Sequence, residues 1–146
     1  MDPAQIALLH ALIRQESRSL LQYGREAYPW SKANEQAVCD AVGAIAATEA
    51  DAVAGLGRWL AKQRAPVSSL GAYPMHFTTM NFIAVSALLP RLVADERQGI
   101  AAVEKVCHAL PAGDARQRVQ ALLDLKKNHL QRLNELSSAA PAALAS

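Results

Sequence analysis

Residues 114–136 read DARQRVQALLDLKKNHLQRLNEL, and the spacing of apolar residues in that stretch decides the fold. Val119, Leu122, Leu133 and Leu136 fall on a line of three- and four-residue steps, the period that turns one face of an α-helix toward a core. Two further positions on the same line hold Lys126 and His129 in place of apolar side chains. Asp114, followed three residues later by Gln117, predicts a capping box at the start. Just upstream, Pro111-Ala112-Gly113 reads as the turn that closes the preceding helix.

The same stripe recurs three more times toward the N-terminus. One helix is expected over about residues 3–24, entered through Asp2 as N-cap with Pro3 at the first helical position and Gln5 completing a capping box. Its stripe is Ile6, Leu9, Ile13, Glu16, Leu20, Tyr23. A second is expected over about 32–64, after a turn forced by Pro29 and with Ser31 as cap; its stripe is Val38, Val42, Ile45, Glu49, Ala52, Leu56, Trp59. A third, capped by Thr78 or Thr79, is expected over about 79–110. Its stripe runs Phe82, Ser86, Leu89, Val93, Glu96, Ile100, Val103, Cys107, Leu110, with a kink at Pro90. With the fourth helix at about 114–136, the chain is read as one all-α domain, a four-helix bundle over 1–136. The tail 137–146, rich in Ala and Ser, is read as disordered.

Between the second and third helices, Ala65 to Phe77 is long for a connection in a bundle, where about 2–8 residues is usual. It also carries Val67, Leu70, Tyr73, Met75 and Phe77, side chains that favour burial. A crossover lying along the side of the bundle accounts for both facts.

Composition agrees with helices. The 146 residues are 51% hydrophobic but only 5% aromatic, and Ala and Leu lose little rotamer freedom on a helix. A net charge of +2 argues against nucleic acid as a partner. The basic residues Arg116, Arg118, Lys126, Lys127 and Arg132 of the fourth helix read as a solvated face. No apolar run reaches the roughly 18 residues of a membrane span, and Met1-Asp2-Pro3 lacks a signal-peptide pattern, so cytoplasmic residence is the default expectation. Cys39 and Cys107, without CxxC spacing, are expected as reduced thiols.

What interrupts the stripes bears on function. Glu49 and Glu96 stand midway along their helices, Glu16 somewhat past the middle of its own, and Lys126 and His129 near the middle of the fourth. Helices of these lengths, packed together, place all five in one layer. Burying an ion costs several kcal/mol even after relaxation, about the size of a domain's net stability, so unpaired acids there are untenable. Water at the edge, pairing with Lys126 and His129, or a metal ion would resolve the cost. Three carboxylates and one ammonium sum to −2, the charge that one divalent cation with a neutral His129 would cancel.

This arrangement resembles the ferritin-like superfamily, whose metal-binding members place Glu, Glu-x-x-His, Glu and Glu-x-x-His on successive helices and cross over between the second and third. Glu16, Glu49, Glu96 and His129 match four of those positions; Ala52 stands at the first His and Lys126 at the fourth Glu. The resemblance implies one iron or manganese ion on Glu16, Glu49, Glu96 and His129. The alternative is a metal-free bundle in which Lys126 and His129 neutralise a vestigial site, acting as an interaction module or homodimer. A weaker third reading is a small-molecule pocket opened at Pro90. No substrate or reaction follows from the residues.

Overall fold

The computed structural model of the chain describes residues 1–27, 33–81 and 83–145. Five α-helices are formed there: α1 (Pro3–Ser17), α2 (Leu20–Ala27), α3 (Gln36–Lys62), α4 (Val85–Ala109) and α5 (Asp114–Ala145), with 3₁₀ turns at Ala33–Glu35 and Met75–Met80. None of the described helices is long and apolar enough to cross a membrane.

Local signals explain several boundaries. Asp2 Oδ1 accepts from Gln5 N at 2.8 Å and Gln5 Oε1 accepts from Asp2 N at 3.4 Å, the expected capping box. The first helix is not continuous to residue 24. It breaks at Arg18–Ser19, because the new helix α2 is capped twice: Gln22 N donates to Ser19 Oγ, and Leu20 N donates to Asp95 Oδ2, 75 positions away in sequence. Asp114 opens α5 from inside its first turn, where its charge suits the helix dipole and pairs with Arg118 at 3.4 Å. It is not the capping residue; Gly113, with its carbonyl accepting from Gln117 N, precedes the helix.

Other expectations need correction. Thr78 and Thr79 do not cap the third long helix. Their hydroxyls donate back to Met75 O and His76 O inside the 3₁₀ turn, and α4 begins only at Val85. That helix continues through Pro90, which lies on its exposed side. The tail expected to be disordered prolongs α5 to Ala145. The proposed cap Ser31 and the stripe residue Phe82 fall outside the described residues.

Two apolar clusters fix how the helices run. One joins Leu9, Leu12 and Ile13 of α1 to Val53, Leu56 and Leu60 late in α3, Val103 and Cys107 late in α4, and Val119 and Leu122 early in α5. The other joins Leu20 and Leu21 of α2 to Val42 and Ile45 early in α3, Leu88 and Leu92 early in α4, and Leu133 and Leu136 late in α5. So α3 and α4 point the same way, against α1, α2 and α5. Each packs on α1, α2 and α5, and the two lie diagonally opposite.

The chain between them must therefore travel the full length of the molecule, as expected of a crossover. It does so alongside α1. His10 Nε2 bonds Ala65 O at 2.8 Å, Arg14 Nε donates to Ser69 O at 2.8 Å, and Arg18 Nε donates to Gly71 O at 2.8 Å. These three residues are four apart and share one helix face, so they form a ladder that matches the extended strap rung by rung. Val67, Tyr73 and Phe77 pack against the two cores, whereas Leu70 and Met75 stay exposed.

Candidate functional site

Between the two apolar clusters lies a single polar layer. Glu16 follows Ile13 on α1, Glu49 lies between Ala46 and Val53 on α3, and Glu96 lies between Leu92 and Ile100 on α4. The stripe periodicity turns each inward with its apolar neighbours, and Lys126 enters from α5. Relative exposure is 1% for Lys126, 2% for Glu96, 3% for Glu49 and 4% for Glu16. The expected convergence is thus present. The reading of Lys126 as part of a solvated basic face is wrong, since the apolar stripe it belongs to faces the core.

Lys126 occupies the middle of the layer. Its Nζ lies 2.6 Å from Glu16 Oε2, 2.9 Å from Glu49 Oε1 and 3.2 Å from Glu96 Oε1. An ammonium has three N–H groups, and three carboxylates from three helices surround this one. His129, one turn further along α5 and largely buried, donates from Nδ1 to Glu49 Oε2 at 2.8 Å. Glu49 is therefore held through both oxygens.

The acids differ in how their surroundings treat a negative charge. Burial pushes Glu96 up, and its hydrogen bond to Glu49 with that neighbour's charge adds to this, reaching about 9 against the pull of Lys126. Burial also pushes Glu49 up, but hydrogen bonds from His129, Glu96 and Lys126 outweigh it and leave Glu49 at about 2. Glu16 is raised, by burial first, with Lys126 opposing. Burial disfavours the charged form of Lys126, yet Glu16, Glu49 and Glu96 together hold it above the ordinary lysine range. The layer thus favours charge on Lys126 and Glu49 and disfavours it on Glu96.

Two residues that sequence reasoning passed over shape this layer. Gly99, one turn beyond Glu96, is buried; a β-carbon there would stand 3.1 Å from Glu16 Oε1, Lys126 Cε and Lys126 Nζ. Glycine lets the pair meet without either side chain giving way. Asp95, beside Glu96, caps α2 and is raised by burial, with the Leu20 N–H opposing. Its position next to a stripe residue reads as ordinary helix surface, and nothing local betrays a partner on α2.

Glu49, Glu96 and His129 each bring a ligand atom within 4.8 Å of the others, a set that can hold a metal ion. Glu96 Oε1, though buried, has no hydrogen bond of good geometry among the described residues. Two carboxylates and an imidazole suit iron or manganese. Glu16 is not in that group and is committed to Lys126.

Other residues picked from sequence have plain structural roles. Glu104 pairs with Lys127 at 3.3 Å, not with His108. Tyr23 packs edge-on against Tyr73 and bonds Asn81 through its hydroxyl. Cys107 is buried and lies 3.3 Å from Gln120 Oε1; Cys39 is half-buried, and both are free thiols. Compared with family models, curated proteins and solved structures, the chain matches none of them.

Proposed function

We propose that the chain is a metal-independent four-helix bundle of ferritin-like architecture, with the Lys126 ammonium as its resident cation, and that it serves as an interaction or dimerisation module. The diagonal α3 and α4 joined by a full-length crossover support the architecture. The observation that carries the metal-independent reading is the triple approach of Lys126 Nζ to Glu16, Glu49 and Glu96.

Lys126 opposes a metal. At an effective dielectric of about 20, a divalent ion about 5 Å from an ammonium is repelled by roughly 7 kcal/mol. An ion on Glu49 and Glu96 would stand in that neighbourhood unless Lys126 moved away. Pairing with Lys126, and the raised affinity of Glu96 for a proton, ease the layer without such a cost.

Metal analysis of untagged protein, grown with added iron and manganese, tests the reading. Occupancy near zero is expected, together with strong destabilisation by Lys126→Ala. Iron or manganese near one per chain would overturn it. In that event the second reading applies: one divalent ion on Glu49, Glu96 and His129, supported by their mutual proximity and by the unbonded Glu96 Oε1.

A further inference from the structure

The seam between α2 and α3 is underfilled. A cleft of about 440 Å³ opens along it, within the range of about 300–1,000 Å³ usual for small-molecule sites. Its floor is Leu21, Val42, Leu88 and Leu92, four buried side chains of the second apolar cluster, so it reaches from the surface into the core. The space exists because α2 and α3 face it with Gly24, Gly43, Ala46 and Ala47. A β-carbon on Gly43 would meet nothing within 4 Å, and one on Gly24 would touch only Leu88, at 3.7 Å. Neither glycine has a positive φ. Glycine inside a helix costs stability relative to alanine, and here neither backbone conformation nor a close approach calls for it. Pro90 is not among the described walls, so the proline is not what opens the cleft.

The chemistry of the walls selects the occupant. The Ala46 carbonyl already accepts from Gln22 Nε2 at 2.7 Å, and no buried side-chain polar atom of the described walls lacks a partner. A surface of that kind holds water poorly and favours apolar guests. At the mouth stand Arg25 and Asp40, one charge of each sign, and Asp40 Oδ1 accepts from Gln36 Nε2 at 2.8 Å. Together they offer an ionic head group no net attraction, whereas bringing an ion against apolar walls costs solvation.

We propose that this cleft binds an uncharged, mainly apolar small molecule, with its hydrocarbon part on Leu21, Val42, Leu88 and Leu92 and a neutral polar end at the mouth. None of Glu16, Glu49, Glu96, Lys126 and His129 lines it. The site therefore stands or falls apart from the metal-independent reading.

The test is calorimetric titration at fixed ionic strength with n-octanol, octanoate and n-octylammonium, which share a chain and differ in head group. Saturable one-to-one binding of n-octanol is expected, with both ions at least about tenfold weaker. Gly43→Leu fills the void from a position where a β-carbon is free, and should weaken n-octanol by about tenfold or more. Gly57→Leu, on the same helix but away from the cleft, should bind as the parent does. Cys39, half-buried on the wall, locates the ligand without any variant: n-octanol should slow its alkylation by iodoacetamide severalfold. Ala47→Leu replaces Gly43→Leu if the latter fails to fold. No saturable binding of n-octanol, an ion that binds as tightly, unchanged affinity in the folded filling variant, or an unprotected Cys39 would overturn the proposal.

Discussion

Gly99 of α4 and Lys126 of α5 meet so closely that a β-carbon on residue 99 would lie 3.1 Å from both the Cε and the Nζ of the lysine. The ammonium cannot retreat easily, because acids from three helices surround it. Alanine normally stabilises a helix by about 1 kcal/mol relative to glycine. Gly99→Ala should instead lower the melting temperature. Gly57→Ala, where a β-carbon meets nothing within 4 Å, should raise it. A rise in both variants, read by circular dichroism, would show that the layer has slack.

Lys126→Ala should cost about 3–5 kcal/mol at neutral pH, since it strands buried acids without their cation. Lys126→Met retains most of the volume and separates charge from packing. Its deficit should be large at pH 8 and smaller at pH 5, where the acids take up protons. A deficit in urea denaturation that does not change with pH would mean that packing alone is lost.

Stability should fall as pH rises from about 5 to 9. Glu96 is raised from its ordinary 4.5 to about 9, so the folded chain holds a proton that the unfolded chain has released. The Glu96 proton alone gives a slope of up to about 1.4 kcal/mol per pH unit in that window. Glu16 and Asp95, also raised, act in the same direction. Glu49, depressed to about 2, acts oppositely and only below its ordinary 4.5. Glu96→Gln should flatten the slope between pH 5 and 9; parallel pH profiles for the two proteins would refute the assignment of the proton.

Lys126→Glu should turn the layer toward metal. It removes the ammonium and places a carboxylate one helical turn from His129. Without metal the variant should melt well below the parent, and added manganese should restore much of the loss. Equal response of parent and variant to manganese would contradict the view that the lysine is what keeps a divalent ion out.

Periodicity made the long helices legible, because the stripe positions are the ones whose burial forms the two apolar clusters. The crossover was legible for a related reason: Val67, Tyr73 and Phe77 are too apolar for a solvated loop. The break at Arg18 was hidden because the acceptor that permits it, Asp95, belongs to another helix. The threonine caps failed because hydroxyls bond backwards as readily as forwards, and the choice here follows the 3₁₀ turn. At the site, the stripe showed that charges converge, but their pairing depends on depth and angle. Gly99 and Asp95 matter only through partners that are remote in sequence.

The hydrogen bonds of the His10, Arg14 and Arg18 ladder all go to main-chain oxygens of the strap, although Arg18 also lies over the Tyr73 ring. Recognition of that kind is blind to the side chains it passes. Residues 68–70 and 72 should therefore tolerate wholesale rewriting, whereas Gly71, held at a φ of 75°, and the two arginines should not. A proteolytic nick in that stretch would leave the severed ends clipped in place, which makes it a natural spot to open new termini or insert a reporter.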